Sequence, residues 1–358
     1  MRLGALANAI GADLSDLTLS GPRARVAAAA ATSVALAVVV AIWLRLDDPL
    51  WAAISAFFCT QATHPASFAK AAERIAGTIL GAGTVFLALP WLSAMPELIP
   101  PALLVFTTIG IIGGSLSRYG YTWQLGGLTA DIICMGVLAD PTMGPSITLY
   151  RTVETALGAA VAVAVVSLIG ERGSTTEKAA AAGWSSLFGA NRHVLGHALR
   201  TGLAVMLVPV VWNWLELPDL SQMAISVATV MAVPGLAQNP EQVEARIHQR
   251  VLYRIAGGLL GGAAGLAILA ASFTSLLPWL MLLMAGVWIG AFMQSTPRET
   301  GYVGLQATMA YMLTLVQGAG PPLSLVPGVE RMAGVLLGVG LLLLVSAGWP
   351  APRPALSA

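Results

Sequence analysis

The sequence predicts an all-α polytopic membrane protein, with about twelve transmembrane helices in two duplicated six-helix halves. Three observations predict it. Of 358 residues 57% are hydrophobic and only 10% charged, whereas a soluble domain carries about 25% charged residues to cover its surface. Apolar stretches approaching the ~20 residues needed to span hydrocarbon recur along the whole chain. Finally, one half of the sequence repeats in the other.

In chain order, residues 1–24 form a cytoplasmic N-terminal segment, in which Leu3, Leu6, Ile10 and Leu14 suggest an amphipathic helix. The first membrane half, 25–170, holds stretches at 25–44, 50–63, 73–92, 98–114, 121–139 and 147–170. The run over 26–44 follows arginines as a signal peptide would, but it is too long and its counterpart recurs after Arg200, so it reads as the first span. The stretch 50–63 is the weakest, and the alternation of the loops supports it. A cytoplasmic linker occupies 171–199. The second half, 200–348, holds stretches at 200–216, 219–236, 252–272, 276–293, 302–318 and 328–348, and 349–358 is a cytoplasmic tail.

Basic residues set the orientation. With the N-terminus inside, the inner loops hold Arg2, Arg23, Arg25, Lys70, Arg74, Arg118, Arg172, Lys178, Arg192, Arg200, Arg246, Arg250, Arg254, Arg298 and Arg353. Only Arg45, Arg151 and Arg331 fall at the outer face, where Asp47, Asp48, Glu97, Asp140, Glu216 and Asp219 gather. This positive-inside bias predicts both termini in the cytoplasm. A net charge of +1 gives no pull on nucleic acid.

The repeat is specific. Arg74-Ile75-Ala76-Gly77-Thr78-Ile79-Leu80-Gly81 returns as Arg254-Ile255-Ala256-Gly257-Gly258-Leu259-Leu260-Gly261, identical at six of eight positions and offset by 180. The same offset relates Arg118 to Arg298, Arg151 to Arg331 and Gly158 to Gly338. Within each half, Arg74 and Arg151, like Arg254 and Arg331, stand 77 residues apart, each followed seven residues later by glycine. The members of each pair sit three helices apart in chain order, an odd step, so each half reads as an inverted 3+3 repeat, an arrangement found in secondary transporters. The halves should pack about an axis along the membrane normal, with a single pore between them bordered by the arginine-bearing helices.

Trp51-Ala52-Ala53-Ile54-Ser55, followed by a short polar loop and the Arg74–Gly81 motif, resembles the fusaric acid resistance family of bacterial inner-membrane proteins. That family includes aromatic acid exporters and is similar to the plant aluminium-activated malate transporters. The resemblance covers both membrane halves and implies transport of organic, chiefly aromatic, acids across the inner membrane. Many such proteins carry large cytoplasmic domains, in whose place this sequence has the linker and the tail. The resemblance is compatible with a homo-oligomer or a separate periplasmic efflux partner.

Charges inside a bilayer cost about 2.5–3.5 kcal/mol each on insertion scales, so the few present are candidates. Arg74, Arg151, Arg254 and Arg331 open helices and could form two positive rings along an anion path, each guanidinium able to hold a carboxylate through two parallel hydrogen bonds. Arg74 and Arg254 also read as headgroup anchors. Asp131, alone among the acids well inside a helix, is either a proton carrier or a structural partner of an arginine, and its counterpart is Tyr311. Glu154, three residues after Arg151, predicts a local ion pair. Gln124, Gln306 and Tyr311 could hydrogen-bond an aromatic acid, as Trp123 could stack on one, although Trp123 also fits an interface anchor. Gly77 and Gly81, Gly257 and Gly261, and Gly334 and Gly338 are small-xxx-small pairs suited to close helix packing.

Other chemistries find little support. Cys59 and Cys134 lack ligand or disulfide spacing. His193 and His197 have metal-pair spacing but no third ligand nearby, and His64 and His248 sit in or near other inner loops. There is no P-loop, nucleophile elbow or paired catalytic acids, so no enzyme, cofactor or metal is expected. The leading expectation is a proton-coupled exporter of organic anions; a passive anion channel and a scaffold subunit of a larger efflux assembly are the alternatives.

Overall fold

The structure is a computed structural model that describes residues 3–171, 173, 181–215, 221–238, 242–272 and 274–348. Expectations on Arg2, the Leu3 side chain, Arg172, Lys178, Glu216, Asp219, Arg353, part of the linker and the tail 349–358 lie outside the described residues. Among those described, every regular element is helical. The α-helices are α1 Leu3–Ser15, α2 Pro22–Trp43, α3 Pro49–Cys59, α4 His64–Ala94, α5 Ile99–Leu116, α6 Gly120–Ala139 and α7 Gly144–Ile169. They continue as α8 Arg192–Met206, α9 Val208–Leu215, α10 Ser221–Met231, α11 Val243–Ala270, α12 Leu276–Gln294, α13 Gly301–Leu315 and α14 Val326–Gly348.

Nine helical segments among the described residues are long and apolar enough to cross a membrane, by length and composition: α2, α4, α5 and α7 with their leading short turns, α6, the α8–α9 run, α11, α12 and α14. The chain is a multi-pass membrane protein. Each of the twelve apolar stretches contains a helix, but α3 and α10 have 11 residues and α13 has 15. At 1.5 Å per residue these rise only about 16 to 22 Å, less than the ~30 Å of hydrocarbon.

Local chemistry sets these ends. Asp48 caps α3 by accepting the Leu50 N–H at 3.2 Å, with Pro49 in the first turn where its missing donor costs nothing. The chain turns extended at Thr60, just ahead of Pro65 and α4. Helix α2 closes with the Arg45 N–H on Ile42 O and the Leu46 N–H on Ala41 O, which puts Arg45 at φ 55°, a position usually given to glycine.

The chain forms two compact units. The first comprises Met1–Ile75, Tyr150–Thr176 and Leu252–Met332; the second comprises Ala76–Leu149, Glu177–Val251 and Ala333–Ala358. Each unit therefore draws on both sides of the 171–199 linker. In the first, α2 packs on α3 and α12, and α13 packs on α12 and α3. Its core sets the alanine- and valine-rich face of α2 (Ala27, Ala31, Val34, Val38) with Leu50 and Phe57, Trp279 and Leu283, and Met312. The Trp279 indole N–H is satisfied by Leu315 O at 3.0 Å. In the second, α8 packs on α10 and α5, and α6 packs on α5 and α10. Both units thus show one four-helix scheme, with α8, α10, α5 and α6 taking the parts of α2, α3, α12 and α13.

Candidate functional site

In the first unit the two short helices are where the arginines converge. Helix α3 presents Trp51, Ser55 and Phe58 at i, i+4 and i+7, hence on one face. Arg74 of α4 is 6% exposed; its Nε donates to Ser55 Oγ at 3.0 Å and its guanidinium lies 5.1 Å from the Phe58 ring centroid. Arg151 of α7 is equally buried and stacks over Trp51, 3.0 Å from the ring centroid. Among the described residues the Arg151 guanidinium donates no hydrogen bond, and Arg74 is within electrostatic reach of it.

Helix α13 is held in the same way. Arg254 of α11 donates to Gln306 Oε1 at 2.6 Å. Arg331 of α14 donates to Leu313 O at 2.6 Å and Val316 O at 3.2 Å, satisfying carbonyls that the end of α13 leaves without helical partners. Tyr311 is buried with its hydroxyl donating to Leu282 O at 2.7 Å. All four predicted arginines and Tyr311 therefore belong to one unit, although they come from both halves of the sequence.

Two acids temper this charge. Glu154 accepts the Asp48 N–H at 2.7 Å, and among the described residues it forms no ion pair with Arg151. The expected i, i+3 pair is replaced because α7 packs where the α3 cap offers a backbone donor. Burial pushes the Asp48 carboxyl up, against the opposing pull of Arg331, the Leu50 N–H and Arg151.

Asp131 and Gln124 lie in the second unit. Asp131 of α6 is fully buried, and its Oδ2 accepts the Thr107 hydroxyl of α5 at 2.6 Å. Its other oxygen, Oδ1, is buried with no hydrogen-bond partner among the described residues. No arginine pairs with it there, so the structural-partner expectation finds Thr107 in place of a cation. Gln124 is half-buried in the notch above Gly114, and Trp123 fills the notch above Gly113 and meets Trp184 edge-on, 5.2 Å between centroids.

The second unit's short helix, α10, is held by histidine and arginine. His197 Nε2 donates to Met231 O at 2.8 Å, Arg250 donates to Thr229 O at 2.6 Å and Val230 O at 3.0 Å, and His193 bonds Leu236 O at 3.0 Å. These groups, with Arg246 on Pro234 O at 2.7 Å, supply donors to carbonyls that the end of α10 and the segment after it leave without helical partners.

The glycine pairs sit where helix backbones meet. A Cβ at Gly77 would lie 2.6 Å from Thr122 O, and one at Gly257 would lie 2.5 Å from Val303 O. At Gly81 and Gly261 it would overlap the carbonyls of Gly126 and Ala307 outright. Gly334 and Gly338 face Gln222 and Met223 of α10. Sequence reading singled out these positions but gave no role to Phe58, Asp48 or Thr107. The i, i+4, i+7 recurrence of Trp51, Ser55 and Phe58 was the available signal for the first.

Residues 24–190 match the Fusaric acid resistance protein family. The chain is similar to the p-hydroxybenzoic acid efflux pump subunit AaeB of Salmonella paratyphi A, 27% identical over 159 residues, which is 43% of this chain and 24% of that protein. The same protein from strain ATCC 9150 / SARB42 matches to the same extent. The chain spans about a quarter of the length of the curated relatives it matches. No solved structure matches it.

Proposed function

We propose that the chain is a secondary transporter that exports organic, chiefly aromatic, carboxylates across the bacterial inner membrane, driven by the proton gradient. The observation that carries this reading is Arg151. It is a buried guanidinium that donates no hydrogen bond among the described residues, laid on an indole face with a second arginine in reach. Free donors in a fork suit a carboxylate, and an aromatic wall suits a ring. In water-poor surroundings four arginines against Asp48 and Glu154 leave a positive field that draws anions. Arg74, Arg151, Arg254 and Arg331 then bind and pass the anion, with Tyr311 as a further contact in the same unit; Gln124 is a separate candidate contact in the second unit.

Asp131 is the proton carrier in this reading. Its Oδ1 can take a proton without breaking a bond to the protein, and its unit holds none of the four arginines. Twelve spans, two duplicated halves of inverted 3+3 repeats and cytoplasmic termini complete the proposal. The shared four-helix scheme of the two units and the positive-inside bias support them. On this topology α3, α10 and α13 are discontinuous spans, completed by the non-helical segments that follow them.

The relative is named a pump subunit, which favours a second reading in which a separate periplasmic partner completes the efflux assembly. Flux of labelled benzoate in proteoliposomes under an imposed proton gradient tests the primary reading. Gradient-driven flux that Arg151→Ala abolishes is the expected result. Flux indifferent to the gradient would instead make the chain a passive channel, and no flux would favour the subunit reading.

A further inference from the structure

Helix α1 carries a buried acid that neither the anion site nor the proton site uses. Asp13 is completely buried, on the same face as Leu6 and Ile10, at i, i+4 and i+7. Its Oδ1 accepts from the Thr296 hydroxyl at 2.7 Å and from Arg298 Nη1 at 2.5 Å, and its Oδ2 accepts from the Thr300 hydroxyl. Arg298 also reaches Asp16 at 2.7 Å. Both carboxylate oxygens are thus held by the loop that joins α12 to α13, more than 280 residues away in sequence.

About two turns before Asp13, Leu6 packs with Tyr253 and Val303, and Ile10, Ala256 and Tyr302 border the same cluster. Tyr253 is the residue before Arg254, and Val303 stands one turn before Gln306 on α13. Gly257 and Gly261 bring the α11 backbone against Val303 and Ala307 just beyond. Helix α1 therefore covers the end of the α11–α13 seam whose next layer is the Arg254–Gln306 hydrogen bond.

We propose that Asp13 is a positioning residue, fastening α1 to the α12–α13 loop so that α1 holds α11 against α13 and keeps Arg254 aligned on Gln306. Three converging donors give the fastening a defined geometry, and one of them is charged, which strengthens it. The Leu6 cluster supplies the apolar part of the contact. The consequence for transport rests on the proposed anion site; the fastening itself does not.

The test uses Leu6→Cys in a Cys59→Ser, Cys134→Ser background, reconstituted as the full chain. Maleimide should label Cys at position 6 slowly when Asp13 is present. Asp13→Ala should speed labelling at least ~10-fold, with Asp13→Asn between, because the amide keeps an acceptor for one threonine and can donate to the other hydroxyl but loses the ion pair. In flux measurements with benzoate, Asp13→Ala should raise KM about 10-fold at nearly constant maximal rate per folded protein, and should add nothing to Arg254→Ala. Unchanged labelling would overturn the fastening, and faster labelling with unchanged KM would overturn the positioning role. A wild type that moves no benzoate would refute the transport reading separately; equilibrium benzoate binding to the same variants then replaces KM.

Discussion

The Arg151 guanidinium lies 3.0 Å from the centroid of the Trp51 ring, joining the first turn of α3 to α7 by a cation–π contact. Such contacts are worth about 2 kcal/mol or more when desolvated. Trp51→Ala should therefore raise the KM for benzoate roughly 10-fold or more, and Trp51→Phe should retain part of the affinity. Arg151→Lys should restore little, because an ammonium keeps the charge but loses the planar fork. Flux kinetics on the three variants check this.

Glycine positions give a stability test independent of transport. Gly261→Ala forces a methyl group into the Ala307 carbonyl, whereas Gly83 has nothing within 4 Å of an added Cβ. The first change should destabilise by about 1–3 kcal/mol, as overpacking does. By contrast, Gly83→Ala should be neutral or gain up to about 1 kcal/mol from helix propensity. Thermal unfolding of the detergent-solubilised variants would show the contrast.

The fastening of α1 should resist acid. Burial pushes the Asp13 carboxyl up, but hydrogen bonds from Thr296, Thr300 and Arg298 and the charge of Arg298 outweigh it, leaving its pKa below the ordinary value of 3.8. Because the folded pKa is the lower one, the stabilisation is complete above the unfolded pKa and is lost as pH falls through the folded value. Labelling at position 6, divided by the rate of an unfolded control at the same pH to remove the change in thiolate fraction, should stay flat from about pH 8 to pH 5 and rise only below about pH 4. A rise near neutral pH would mean that another group controls the docking.

Thr107→Val removes the hydroxyl that Asp131 Oδ2 accepts while preserving side-chain shape. Leaving a buried polar group unpaired costs about 1–3 kcal/mol. The variant should therefore fold with a lowered melting temperature and should shift the pH dependence of gradient-driven flux. Benzoate KM should not change, since Thr107 lies outside the unit that holds the arginines.

Much of this architecture is legible in the sequence, because apolar length alone marks a helix in lipid. The helix ends at Met231 and Leu315 were not, since they depend on partners from other helices: His197 of α8 and Arg250 of α11 for α10, Arg331 of α14 for α13. The 180-residue offset marked the four arginines in pairs, but no local pattern says that both pairs gather in one compact unit. Glu154 misled for a related reason: helical spacing put it beside Arg151, and a backbone N–H from the α3 cap claimed it. Asp13 was readable in principle, as the acid on the apolar face of an otherwise amphipathic helix.

On the proposed function, anion binding and proton coupling reside on different residues, Arg151 and Asp131. Its most direct test compares benzoate counterflow, which needs no net proton movement, with gradient-driven benzoate flux in reconstituted Asp131→Asn. Counterflow should persist in this variant while gradient-driven flux is lost. Gradient-driven flux that survives intact in Asp131→Asn would contradict it.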